Sequence, residues 1–265
     1  MNYRPLFVLT LAAAAAGCGP RQVVVGTGVP DRSAITSTSS LVRAMHDRYA
    51  GRWYRNLTFV QTSQYYDSTG APTHREIWYE AGQVPGVLRI DIGERSAGNG
   101  QIFRNDSAYV FQRGKLVRSV RSRNPLMLLG FDVYAVDPAR TVQVLQEEGF
   151  DTAKFHRATA NGTEYYVVGA EPGDTTSKQF WIEADRLLFW RLFQPPPASA
   201  PGRPVSEIRF QKYVPHGGGF VAEEVDFLRN GKRYFYESYA DVRVNVALDP
   251  AIFTPEQWGT ATYWR

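Results

Sequence analysis

The chain has 265 residues, 43% of them hydrophobic and 21% charged, which excludes intrinsic disorder and coiled coil. A single Cys excludes a disulfide framework and any multi-cysteine metal or cluster site. The formal net charge of +4 is too small for a nucleic-acid binder, although it suits an anionic membrane surface. Aromatic residues at 14%, with 23 Gly and 16 Pro, favour a strand-rich fold with many turns.

Met1 to Cys18 has the grammar of a secretory signal: Arg4, an apolar stretch from Leu6 to Leu11, then small residues. The apolar stretch is too short to span a bilayer about 30 Å thick. Ala15-Ala16-Gly17-Cys18 resembles the lipobox of bacterial lipoproteins, with Ala15 where Leu is more usual. That resemblance implies that Cys18 is acylated, becomes the mature N-terminus and anchors the protein to a membrane. Gly19 in place of Asp favours the outer membrane, facing the periplasm. The alternative is ordinary cleavage that leaves a bystander thiol. Residues 18–40 are rich in Gly, Pro, Ser and Thr and read as a flexible tether, with a single folded domain over 41–265.

Leu41, Val42, Met45 and Tyr49 predict a first helix, with Ser39 or Ser40 as its cap and Gly51 as its end. Alternating runs then predict strands around Leu57, Arg75–Glu80, Leu88–Ile92, Tyr109–Phe111 and Leu116–Val120. No helical segment separates these runs, so antiparallel hairpins fit better than parallel crossovers. Pro125–Gly130 and a segment capped by Asp137-Pro138 predict a helical insertion. Strands resume at Glu164–Val168, Gln179–Glu183 and Leu187–Phe193. The proline-rich stretch from Gln194 to Pro204 predicts an exposed loop. Ile208–Phe210, Phe220–Leu228 and Arg233–Tyr239 complete the strands, and Asn230-Gly231 predicts a tight hairpin. Asp249-Pro250 predicts a short closing turn that buries Phe253.

The element order, the ending Val244-Asn245-Val246-Ala247-Leu248-Asp249-Pro250-Ala251-Ile252-Phe253 and the apolar segment Asn124-Pro-Leu-Met-Leu-Leu129 resemble the lipoprotein-sorting superfamily, the LolA/LolB-like proteins. The likeness runs from about Leu41 to Trp258. It implies an α+β, mainly antiparallel β fold: an unclosed half-barrel whose concave face is covered by helices. It further implies that lipids or lipidated proteins are partners through their acyl chains, shielded in an apolar cavity during lipoprotein sorting or lipid transfer.

The candidate inner row from strand alternation is Leu88, Ile90, Phe103, Tyr109, Phe111, Phe180, Ile182, Leu188, Trp190, Ile208 and Phe210. The same resemblance implies that Leu126, Met127, Leu128 and Leu129 form a lid over it. Core packing is the competing explanation for every one of them. A second function on the same frame is an envelope module that binds a protein partner or senses stress. Arg113, Lys115, Arg118, Arg121 and Arg123 are candidates to meet an anionic membrane face, or form a solvated strand edge.

An enzyme reading has little to stand on. The sequence lacks a G-x-S-x-G elbow, a P-loop and an H-E-x-x-H motif. His74 and Glu76, on one strand face, are the single hint of a ligand pair. No catalytic residue, metal or cofactor is assigned.

Overall fold

The computed structural model describes residues 31–261; Cys18, the signal segment and residues 18–30 of the expected tether lie outside the described residues. Thirteen strands form one sheet: β1 (Asn56–Tyr66), β2 (Pro72–Gln83), β3 (Val87–Ile92), β4 (Gly100–Arg104), β5 (Ser107–Gln112), β6 (Lys115–Arg121), β7 (Phe155–Ala160), β8 (Thr163–Val168), β9 (Gln179–Glu183), β10 (Phe189–Gln194), β11 (Ser206–His216), β12 (Gly219–Arg229) and β13 (Lys232–Val244). Among the described residues three α-helices accompany it: α1 (Thr38–Tyr49), α2 (Pro125–Gly130) and α3 (Pro138–Glu147).

The sheet order is β6-β5-β4-β3-β2-β1-β13-β12-β11-β10-β9-β8-β7, and each neighbouring pair is antiparallel. Two meanders therefore meet where β1 pairs with β13. The edge strands β6 and β7 do not pair, so the sheet stays open. The chain leaves one edge at β6 and reaches the other at β7 through the α2–α3 insertion. That connection lays apolar side chains from both helices against the sheet's inner face. The expected half-barrel is the observed architecture.

Local chemistry explains the helices. Ser37 caps α1 through a reciprocal capping box with Ser40, ahead of the Ser39 or Ser40 that the sequence suggested. Leu41, Val42, Met45 and Tyr49 then fall on one buried stripe. Asn124 caps α2 and Asp137 caps α3, each followed by Pro at the first helical position. Residues 31–40 are not a free tether. Arg32 pairs with Glu164 and Asp185, while Ile35 and Thr38 are buried.

The turns follow the sequence signals. Asn230 and Gly231 both have positive φ and join β12 to β13 in a two-residue hairpin. Asp249 caps a 3₁₀ turn over Pro250–Phe253, and Phe253 is buried. That turn and Trp258 cover the sheet's outer face, where Trp258 stacks on Phe111 with centroids 4.3 Å apart.

Tyr134, in the 3₁₀ turn after α2, joins the helical cover to the sheet. Its ring stacks on Trp53 at 4.0 Å and meets Tyr49 edge-on at 5.1 Å. Its hydroxyl donates to the Leu187 carbonyl and accepts from the Phe189 N–H, both at 3.2 Å. Tyr134→Phe keeps the ring and leaves both buried backbone groups without that partner. A loss of about 1–3 kcal/mol is expected, read as a lower urea midpoint with unchanged slope.

Candidate functional site

A cavity of about 270 Å³, partly open to solvent, lies between α2 and the inner face of β1–β4 and β11–β13. It exceeds the roughly 150 Å³ that admits a benzene ring and approaches the lower limit of small-molecule sites, about 300 Å³. A smaller cavity of about 180 Å³ adjoins it, lined by Phe103, Arg104, Leu128, Asp132 and Val144 among others. Asn124 and Met127 line both chambers and form the partition between them.

Strand register decides which side chains face inward. Leu88 pairs with Phe103 and Gly82, and Ile90 with Gln101 and Glu80, so all of these share the inner face. On β1, Leu57, Phe59 and Gln61 point the same way, opposite Trp78 and Glu80 on β2 and Tyr239 on β13. Phe227 and Phe235 pair across β12 and β13 and close the far wall.

Leu88, Ile90, Leu126, Met127 and Phe210 line the larger cavity, as the sequence suggested. Phe103, Met127 and Leu128 line the smaller one. Leu129, Phe180, Ile182 and Leu188 are at most 1% exposed and fill the core beneath the helices without reaching either chamber. Phe150 from the insertion meets Phe180 edge-on at 5.2 Å. Ile208 borders an outer groove beside α2, together with Arg121 and Lys178.

Three candidates belong to the opposite face. Tyr109 pairs with Ile102 and Phe111 with Gly100, so both point outward and pack beneath Trp258. The inner residues of β5 are instead Ala108 and Val110. Trp190 stacks on Tyr165 at 4.1 Å beside Trp181, all on the outer face. An irregular register between Phe189 and Arg191 shifts the alternation there, which is why simple counting misplaced Trp190.

The cavity wall also carries residues the sequence reading missed: Leu57, Phe59, Trp78, Phe227, Phe235 and Tyr239, each at the right period-two position. More telling are Glu80 and Glu237. Each occupies an apolar phase of its strand and is buried, at 5% and 8% exposure. Tyr239 donates to Glu237 at 2.7 Å, yet burial pushes the Glu237 carboxyl up to about 7. Burial raises the Glu80 carboxyl well above its ordinary value, and the Glu237 charge adds to that rise.

The basic run divides. All seven residues of β6 are exposed, including Lys115, Arg118 and Arg121. Arg123 is not a free cation: Asp106, Glu147 and Glu148 surround its guanidinium at 2.6–3.2 Å. His74 and Glu76 do meet, at 2.9 Å, but at the exposed end of β2. Among the described residues no group of three or more His, Cys, Asp or Glu could hold a metal ion. Among the same residues no helix is long and apolar enough to cross a membrane.

No protein-family model and no curated protein matches the sequence. Solved structures do match the fold. A domain from Vibrio parahaemolyticus described as an outer membrane lipoprotein-sorting protein domain superposes with TM-score 0.54 at 10% identity, covering 83% of this chain and 97% of that one. A DUF1329 family protein from Desulfovibrio piger gives 0.53 at 14%, covering 82% and 95%. A LolA superfamily protein from Nitrosomonas europaea gives 0.50 at 13%, covering 83% and 98%. The chain therefore has the LolA-like fold over nearly the whole length of those proteins, as the sequence resemblance implied.

Proposed function

We propose that this protein is a membrane-anchored envelope lipoprotein that binds acyl chains of lipids or lipidated proteins non-covalently, in lipoprotein sorting or lipid transfer. The observation that carries the reading is the space of about 270 Å³ left between α2 and the aromatic inner face. A core built only for stability is close-packed, and voids of this size are few. The two walls differ in kind: a stiff sheet on one side and a short helix with flexible Leu126 and Met127 on the other. Each methylene moved from water into such a space contributes about 0.8 kcal/mol. Acylated Cys18 would hold the domain at the membrane, and the fold shared with a Vibrio parahaemolyticus domain described as lipoprotein-sorting supports the reading.

The reading is tested with an apolar fluorescent probe and with mass spectrometry of the lipid that copurifies. Leu126 is half-buried and faces the cavity. Leu126→Glu places a carboxylate there at modest cost to the fold, and probe affinity should fall by about tenfold or more, since a desolvated charge costs well over 1.4 kcal/mol. Val117→Glu on exposed β6 should leave it unchanged. Absence of copurifying lipid together with no probe binding by the wild type would end this reading.

One observation favours the second reading, a protein-binding module. The edge strand β6 exposes Leu116 at 51% and Val117 at 52% beside its basic residues, an open edge able to pair with another chain. A stoichiometric partner lost on Val117→Glu but retained on Leu126→Glu would support it.

A further inference from the structure

The larger cavity is apolar in its walls and acidic in its polar floor. Phe59, Trp78, Phe227 and Phe235 supply the walls, and Gln61, Glu80, Gln101, Asn124, Glu237 and Tyr239 supply the polar groups. Among the described residues no Lys, Arg or His lines it. Glu237 has the Tyr239 hydroxyl as a donor. Glu80 lies between Phe59 on β1 and Ile90 on β3. Among the described residues nothing donates a hydrogen bond or pairs an ion with its carboxyl.

We propose that the cavity is built for an amphiphile whose polar end is a cation: an alkyl ammonium, with its hydrocarbon against the aromatic walls and its charge at Glu80 and Glu237. This rests on the acyl-chain reading above and names the head-group chemistry that site prefers. A positive charge supplies Glu80 with the donor it lacks and relieves the repulsion between the two carboxyls. The face of Trp78 or Phe59 adds a favourable surface for an ammonium. A carboxylate or phosphate in the same place would meet two acids and no base.

An anionic head remaining outside, at the groove beside α2, is the strongest rival. The cations there are already engaged. Lys178 donates to the Glu148 carbonyl and sits 4.7 Å from the Phe150 ring centre. Arg123 is held by three carboxylates. Arg121 is exposed, where salt and water screen its charge.

The test is displacement of the apolar probe from the full chain by dodecylamine, dodecanol and dodecanoate, each below its micelle concentration. Dodecylamine should bind about tenfold tighter than dodecanoate, equivalent to about 1.4 kcal/mol. That order runs against the protein's net charge of +4, so non-specific attraction cannot produce it. Glu80→Gln and Glu237→Gln, singly and together, should shrink the ratio while dodecanol affinity holds. If the double variant does not fold, the wild-type ratio still decides. Dodecanol binding with amine and acid equal, or with the acid tighter, overturns this inference and leaves the acyl-chain reading standing. A preference that survives both single substitutions also overturns it. Failure of all three ligands and of the probe removes the acyl-chain reading itself, and this inference with it.

Discussion

Asp91→Ala will destabilise the fold by about 3–5 kcal/mol, because it strands a buried guanidinium. Arg89 and Asp91 stand two residues apart on the outer face of β3, with side chains 4% and 3% exposed. Arg89 grips the carboxylate with two nitrogens, at 2.8 and 2.9 Å. It also donates to the Ile252 carbonyl at 3.0 Å and lies 4.1 Å from the Trp258 ring centre. The pair thereby ties the C-terminal turn to the sheet. Removal of Asp91 leaves the cation the Ile252 and Trp258 carbonyls and its aromatic partner but takes away the charge that justified burying it. Arg89→Met combined with Asp91→Leu should restore most of the loss, since an apolar pair of similar volume needs no compensation. Urea denaturation of the three chains measures both effects. A loss below about 1 kcal/mol for Asp91→Ala would mean that water reaches Arg89 and that the outer face is not sealed.

Much of this architecture was legible in the sequence because period-two alternation is a local signal. Leu88, Ile90 and Ile92 announced β3, and Asn230-Gly231 announced the β12–β13 hairpin, since each depends on neighbours in the chain. The cap Asp137 was similarly local. Strands β4 and β7 were not announced: Gly100 opens the first, and Phe155-His-Arg-Ala-Thr-Ala alternates too weakly. Which face of a strand looks inward is not local at all. Tyr109 and Phe111 are as aromatic as Phe59 and Phe235, but the sheet hides both of its faces. Trp258, more than a hundred residues later, covers the outer one. Sequence reading had no means to tell a face buried by helices from one buried by the C-terminal turn. The signal available but unused was Glu80 and Glu237, each interrupting an apolar phase. A charged residue at an inward position is costly unless something answers it.

Those carboxyls also make stability fall as pH rises between 5 and 8, opposite to the usual behaviour of paired surface acids. Burial raises Glu237 from an ordinary 4.5 to about 7 and Asp132 from 3.8 to about 7, with Glu80 raised as well. The folded state therefore holds protons that the unfolded chain has released. Wherever that is so, unfolding free energy declines as pH increases. Hydrogen bonds to Arg123 and to His74 hold Asp106 and Glu76 below their ordinary values, so their opposite dependence falls at lower pH. One proton retained only by the folded state costs about 1.4 kcal/mol per pH step, so Glu237 accounts for about 3 kcal/mol of the decline. Glu237→Gln keeps the shape and an acceptor for the Tyr239 hydroxyl while removing the titration. Urea unfolding at pH 5 and pH 8 should therefore show a smaller difference for the variant, by about that amount. Parallel behaviour of the two proteins would mean that Glu237 is hydrated and the cavity floor is wet. An occupant bearing a positive charge acts on the same groups: it favours the ionised carboxyls, and its presence should flatten the wild-type curve toward that of the variant.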